Sequence, residues 1–202
     1  MRIGFFRLAV LDQFYRLHQS HAADIADREP EILARFERML NARISATMIR
    51  CHGDYHLGQV LWTGKDFVII DFEGEPARPV SQRRLKRTAM RDVAGMLRSY
   101  HYAAQSLLYG PGSTARPEDV ERLTPWLRFW QAWVQGAFLG SYLETGDGAS
   151  FVPADREELE ILLDALLLEK AIYELNYEVN HRPDWVGIPV QGILDLLGGS
   201  GA

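Results

Sequence analysis

Cys51-His52-Gly53-Asp54-Tyr55-His56-Leu57-Gly58-Gln59, with Asp71-Phe72-Glu73-Gly74 beginning twelve residues after Gln59, is the most informative stretch of this 202-residue sequence. Between its two parts lie short runs rich in β-branched and aromatic residues, 59–63 (QVLWT) and 66–70 (DFVII), separated by Thr63-Gly64-Lys65-Asp66. Gly at a turn position between two such runs predicts a β-hairpin. A loop running into that hairpin sets Asp54 at its tip, Gln59 on the first strand and Asp71 at the end of the second. One carboxylate is then placed to accept a proton, while an amide oxygen and a second carboxylate can share a hard cation. Mg²⁺ takes such oxygen ligands together with phosphate oxygens and water. This is the equipment of phosphoryl transfer, in which the protein positions groups and neutralises charge. Residues 58–65 are not a P-loop, because five residues separate the glycines and Asp66 follows the lysine.

Outward from this stretch the pattern is helical. Phe5, Phe6, Leu8, Ala9, Leu11, Phe14, Tyr15 and Leu17 form one apolar face, and Ile32, Leu33, Phe36 and Leu40 another, with Pro30 suited to a first helical turn. A further run of β character, 45–51 (SATMIRC), is expected as a strand. Downstream, residues 90–108 read as a helix stopped by Tyr109-Gly110-Pro111-Gly112, and 118–143 as a second, bent or restarted near Pro125. Residues 155–180 and 190–197 read as two more. The predicted architecture is therefore mainly α with a small β-hairpin, in a single domain over 1–202: a catalytic loop at 51–74 and a helical substrate-binding part at 88–198.

Composition narrows the classes. With 47% hydrophobic and 24% charged residues and a net charge of −5, the chain reads as neither disordered nor built for nucleic acid. No apolar stretch reaches the ~20 residues of a membrane helix. The opening residues are broken by Arg7, Asp12 and Arg16 and do not read as a secretory signal. The single cysteine, Cys51, fits a reducing compartment, so a cytoplasmic location is expected.

The His52–Leu61 segment (HGDYHLGQVL), Asp71-Phe72-Glu73-Gly74-Glu75-Pro76, Arg91–Ser99 (RDVAGMLRS), and the late segment 170–178 (KAIYELNYE) with Arg182-Pro183-Asp184-Trp185 occur in this order. Together they resemble the aminoglycoside-phosphotransferase-like kinases, relatives of protein kinases, and within them the maltokinase branch. The resemblance covers about residues 45–190. It implies the C-terminal lobe of a protein-kinase-like fold, using ATP and Mg²⁺ to phosphorylate maltose to maltose 1-phosphate for α-glucan synthesis. By the same resemblance, Asp54 is the catalytic base, Gln59 and Asp71 hold the metal, and Glu73 assists the metal or the sugar. Gln59 stands where most of the wider superfamily has Asn. The resemblance also implies that Tyr173, Glu174, Tyr177, Glu178, Arg182 and Trp185 face the disaccharide, as aromatic faces and charged groups suit a sugar cleft.

His52 reads as an orienting or packing residue, His56 as a substrate contact or a structural histidine, and Asp92 as a helix-start carboxylate supporting the catalytic loop. Arg78, Arg83, Arg84, Lys86, Arg87 and Arg91 read as a solvated basic face, Trp126, Trp130 and Trp133 as core, and Cys51 as inert. No Gly-rich strand pair or lysine precedes Asp54, so the nucleotide-covering N-terminal lobe is expected to be absent from this chain. It would be supplied separately or upstream in a trehalose synthase fusion. Two competing expectations are a kinase of the same superfamily acting on an aminoglycoside, choline or another alcohol, and a non-catalytic sugar-binding or interaction module.

Overall fold

A computed structural model describes residues 25–76, 78–110 and 112–198. The predicted helix on Phe5–Leu17 lies outside the described residues. Among the described residues the fold is carried by the helices α1 (Glu29–Asn41), the short α2 (Val80–Arg83), α3 (Met90–Gln105), α4 (Val120–Thr145), α5 (Arg156–His181) and α6 (Gly187–Leu196). The two strands β1 (Val60–Trp62) and β2 (Phe67–Ile69) pair antiparallel, with Val60 opposite Ile69, Leu61 opposite Val68 and Trp62 opposite Phe67. The mainly helical fold with one small hairpin is the architecture the sequence predicts.

Helix α5 organises the core. Asp155 caps it by accepting from the Glu158 N–H at 3.0 Å, which satisfies one of the orphan donors of the first turn. Its N-terminal half packs Leu162, Leu163 and Leu166 on Ala89, Met90, Val93, Ala94 and Leu97, chiefly of α3. Its C-terminal half packs Leu168, Ala171, Leu175 and Val179 on Val186, Val190 and Ile193 of the α6 region and on Ile32 of α1. Full burial of each Leu or Ile is worth about 1.5–3 kcal/mol, so α5, touching both clusters, is what the other helices are built around.

Two expectations fail for identifiable reasons. Residues 45–51 form no strand. Ile49 makes a single bridge with Arg87, Thr47 N–H donates to the Ser150 carbonyl at 2.8 Å, and Ser45 N–H to the Glu158 carboxylate at 2.8 Å. The backbone finds its partners one at a time on different elements, so no ladder forms. Trp126, Trp130 and Trp133 are not core: they are 71%, 43% and 66% exposed, and no residue of α4 is fully buried. Helix α4 makes apolar contact with the rest of the core through Phe138, Leu139 and Tyr142, near its C-terminal end. Pro125 sits inside α4 without ending it.

Among the described residues no helix is long and apolar enough to cross a membrane.

Candidate active site

The loop holding Asp54 is fixed from both sides. The Asp92 carboxylate, in the first turn of α3, accepts the His52 N–H at 2.7 Å and the Gly53 N–H at 2.9 Å. Charge-assisted bonds of this kind are the stronger ones. His52 is buried and joins the loop to the end of β2. Its Nδ1 accepts the Asp54 N–H at 3.3 Å, so its Nε2 carries the proton donated to the Ile70 carbonyl at 2.7 Å. Its ring also packs on Phe72, with centroids 4.9 Å apart.

Two glycines permit the close approach. Gly53 has φ +88° and faces Gly74, where an added Cβ would lie 3.2 Å from the Gly74 Cα. Gly95 of α3 lies against the Tyr55 carbonyl, and a Cβ there would be only 2.7 Å from its oxygen. Gly95→Ala is expected to push the loop off α3, costing about 1–3 kcal/mol of stability. In kcat the misplacement is expected to cost up to about 10²-fold. Thermal melts and steady-state kinetics on one preparation check both.

Gln59 and Asp71 meet at the open end of the hairpin, where the Gln59 Nε2 donates to Asp71 Oδ2 at 3.1 Å. Asp71 has φ +61°, a left-handed conformation uncommon outside glycine, asparagine and aspartate. With the amide nitrogen turned to Asp71, the amide oxygen and the second carboxylate oxygen remain as hard donors. That pair fits Mg²⁺ completed by phosphate oxygens and water. Among the described residues no group of three or more His, Cys, Asp or Glu could enclose a metal. Glu73 is exposed; its carbonyl accepts from Arg83 at 3.2 Å, and its carboxylate lies 4.0 Å from the same guanidinium.

Asp54 opens onto a cleft lined by Gly53, Glu75, Arg78, Arg91, Lys170 and Tyr173, among others. Its carboxylate lies 3.9 Å from Lys170 Nζ and 3.8 Å from His56 Nε2. His56 Nδ1 accepts the Gly58 N–H at 3.0 Å, which leaves Nε2–H on the side of Asp54. Burial, and then the Glu75 carboxylate facing it, push the Asp54 carboxyl above the ordinary carboxylate range, against the opposing pull of Lys170 and His56. Burial and Glu75 likewise raise the Tyr173 phenol. Arg91 holds Glu169 with two bonds, 3.0 and 2.9 Å.

The late segment divides between two faces of α5. Tyr173 lines the cleft with Asp54. Glu174 instead pairs with the buried Arg98 at 2.7 and 2.9 Å. Glu178 is 1% exposed and accepts from the Tyr102 hydroxyl at 2.6 Å and from Arg182 at 2.8 Å. Tyr177 stacks on His181, and the Arg182 guanidinium lies 5.1 Å over the Trp185 ring. As folded, the Glu174 and Glu178 carboxylates are committed to structural partners. Burial and the nearby Asp92 raise the Cys51 thiol to about 11, which disfavours a reactive thiolate.

A profile described as "Phosphotransferase enzyme family" matches residues 3–74. Solved glucosamine kinase structures superpose on almost the whole chain. One, in complex with glucosamine, ADP and inorganic phosphate, gives a TM-score of 0.78 at 26% identity over 96% of this chain and 46% of that one. Another crystal form gives 0.75 at 27% identity, covering 95% and 44%. The fold is that of the aminoglycoside-phosphotransferase-like superfamily. In sequence, the chain is 31% identical over 160 residues to the glucosamine kinase of Streptacidiphilus jiangxiensis, covering 78% of this chain and 34% of that protein. It is 34% identical over 151 residues to the glucosamine kinase of Mycolicibacterium smegmatis, covering 72% and 34%. The chain thus spans about a third of the length of these curated relatives.

Five charged residues of this cleft were not read as site residues from the sequence: Glu75, Glu169 and Lys170 were passed over, and Arg78 and Arg91 were assigned to a solvated basic face. Glu75 lies beside the Asp-x-Glu motif and Lys170 heads the late segment, so proximity to the motifs was the available signal.

Proposed function

We propose that this chain carries the catalytic and acceptor-binding part of an ATP-dependent sugar kinase, with glucosamine as the first acceptor to test. The observation that carries the reading is Asp54, held in a cleft by Asp92 and His52, together with Gln59 and Asp71, whose 3.1 Å Nε2–Oδ2 hydrogen bond leaves one oxygen of each for a cation. In this reading the Asp54 carboxylate takes the proton of the sugar hydroxyl that attacks the γ-phosphate of ATP. Tyr173 and Glu75 line the acceptor side, and the Glu75 carboxylate can meet an amino sugar's ammonium. Gln59 and Asp71 would hold Mg²⁺, which supplies charge neutralisation of the phosphates. The sugar kinases among the relatives support the acceptor class.

Maltose is the second reading, supported by the order and content of the segments at 52–61, 71–76, 91–99 and 170–185. The phosphate-covering lobe would pack over the exposed hairpin, where Leu61, Trp62, Phe67 and Phe72 are open. A trehalose synthase partner belongs only with the maltose reading.

Phosphorus NMR with Mg-ATP and glucosamine, maltose or an aminoglycoside tests the reading directly. A sugar phosphate formed from glucosamine supports it, phosphate on maltose alone selects the second reading, and ATP hydrolysis unaffected by any acceptor rejects both. A pH profile tests the base. Asp54 must be ionised to accept a proton, so activity falls as pH drops through its raised pKa. Lys170 opposes that rise, so Lys170→Met is expected to move the acid limb of kcat/KM to higher pH. An unmoved limb would separate Asp54 from the titration.

A further inference from the structure

Helices α3, α4, α5 and α6 line a second, half-open cavity of about 370 Å³, at the small end of the range for ligand pockets. It does not share its lining residues with the Asp54 cleft. Helix α3 gives Asp92 and Gly95 to the cleft, but Leu97, Arg98 and His101 to the cavity. Helix α5 gives Leu166 and Lys170 to the cleft, but Leu163 and Leu167 to the cavity.

The feature that calls for an occupant is His101. It is 2% exposed, and neither ring nitrogen has a hydrogen-bond partner. Asp195 Oδ2 of α6 lies 3.8 Å from His101 Nε2, too long for a direct bond. A buried imidazole with both nitrogens unmet costs free energy unless something fills the space and pairs with them.

The charges around the cavity are already matched. Arg98 is spent on Glu174, and its guanidinium lies so close to Gly192 that a Cβ there would overlap it. Asp195 accepts from Gln191 at 2.9 Å and lies 3.5 Å from Arg128. Burial, and then Arg98, hold the His101 pKa down against the opposing pull of Asp195 and Glu174, which favours the neutral ring. A neutral imidazole offers one donor and one acceptor, and only a ligand that can both give and take a proton bond answers it fully. Two hydroxyls on one molecule can do this, one accepting from the ring N–H and the other donating to the bare nitrogen. The Gln131 and Gln135 amides of α4 stand on another wall, and Leu139, Leu163 and Leu167 complete an aliphatic lining. A full charge would enter without a counter-charge, and a hydrocarbon would leave His101 unpaired.

We infer that this cavity is a second small-molecule site, separate from the Asp54 cleft, built to take an uncharged polyhydroxyl compound of monosaccharide or cyclitol size against His101.

The test follows the His101 ring resonances of the whole chain by NMR during titration with myo-inositol, glucose, acetate and benzene. Expected is a saturable shift with myo-inositol or glucose and none with the other two. His101→Leu keeps the volume and removes the unmet polar group, so it is expected to raise the Tm of the ligand-free chain and to abolish polyol binding at the cavity. Gly136→Leu, on the α4 wall where a Cβ meets no atom within 4 Å, adds bulk there and is expected to weaken the same titration. The inference is overturned by ring resonances unmoved by either polyol, by saturation with acetate or benzene instead, or by polyol shifts of equal midpoint in Gly136→Leu.

Discussion

Asp54→Asn is expected to lower kcat by about 10²–10⁴-fold, the range lost with a general base, while raising the Tm of the fold at neutral pH. The two changes have one origin. Burial and Glu75 set the folded-state pKa of Asp54 above its unfolded value. Ionising it therefore costs folding free energy, a cost absent below the unfolded pKa and complete once pH has risen through the folded one. Asparagine keeps the shape, drops the charge and escapes that cost. Steady-state kinetics measure the first half, and melts at about pH 5 and about pH 8 the second. The Tm gain should be larger at the higher pH. Wild-type turnover in the variant would remove Asp54 from the chemistry, and a lower Tm at both pH values would contradict the stated origin of its raised pKa.

The second large effect is structural. Arg98→Met is expected to destabilise the fold by about 3–5 kcal/mol, because it leaves the Glu174 carboxylate in a nearly closed site without its cation. Urea denaturation measures it. The double change Arg98→Met/Glu174→Leu should recover most of the loss, since replacing both partners by apolar groups removes the unpaired charge. A single variant as stable as the parent would mean that solvent reaches Glu174. The same pair has a bearing on function: α5 carries Glu174 next to Tyr173, so loss of the pair is expected to disturb the acceptor side of the cleft as well.

Much of the architecture could be read before any coordinates, because it rests on local signals. The β1–β2 turn has its Gly64, α5 its Asp155 cap, and the helices their periodic apolar faces. Residues 45–51 misled because β-branched residues announce a preference for extended backbone and not a partner strand. The α4 tryptophans misled because helical spacing reports a face and not what covers it. Within the site, the loop and the strand-end motif carry short-range spacing, and their mutual placement follows from the hairpin. The acceptor wall is different. Positions 166, 169, 170 and 173 fall within about 100° of one another on α5, whereas 174 and 178 lie about 90° and 130° from the middle of that stripe. That rotation turns two carboxylates toward Arg98 and Tyr102, and sequence alone cannot fix it. Lys170 was invisible for the same reason, its carboxylate partner lying more than a hundred positions away.

The left-handed backbone at Asp71 has an experimental use. Most replacements there would confound two effects, because an ordinary side chain resists φ +61° at the same time as it removes the oxygen donors. Asparagine tolerates this conformation almost as well as aspartate and differs chiefly in charge, while glycine accepts it freely and carries no donor at all. Aspartate, asparagine and glycine at position 71 thus form a graded series on one unchanged backbone. Across that series, any dependence of nucleotide affinity on the divalent cation supplied can be attributed to the carboxylate alone.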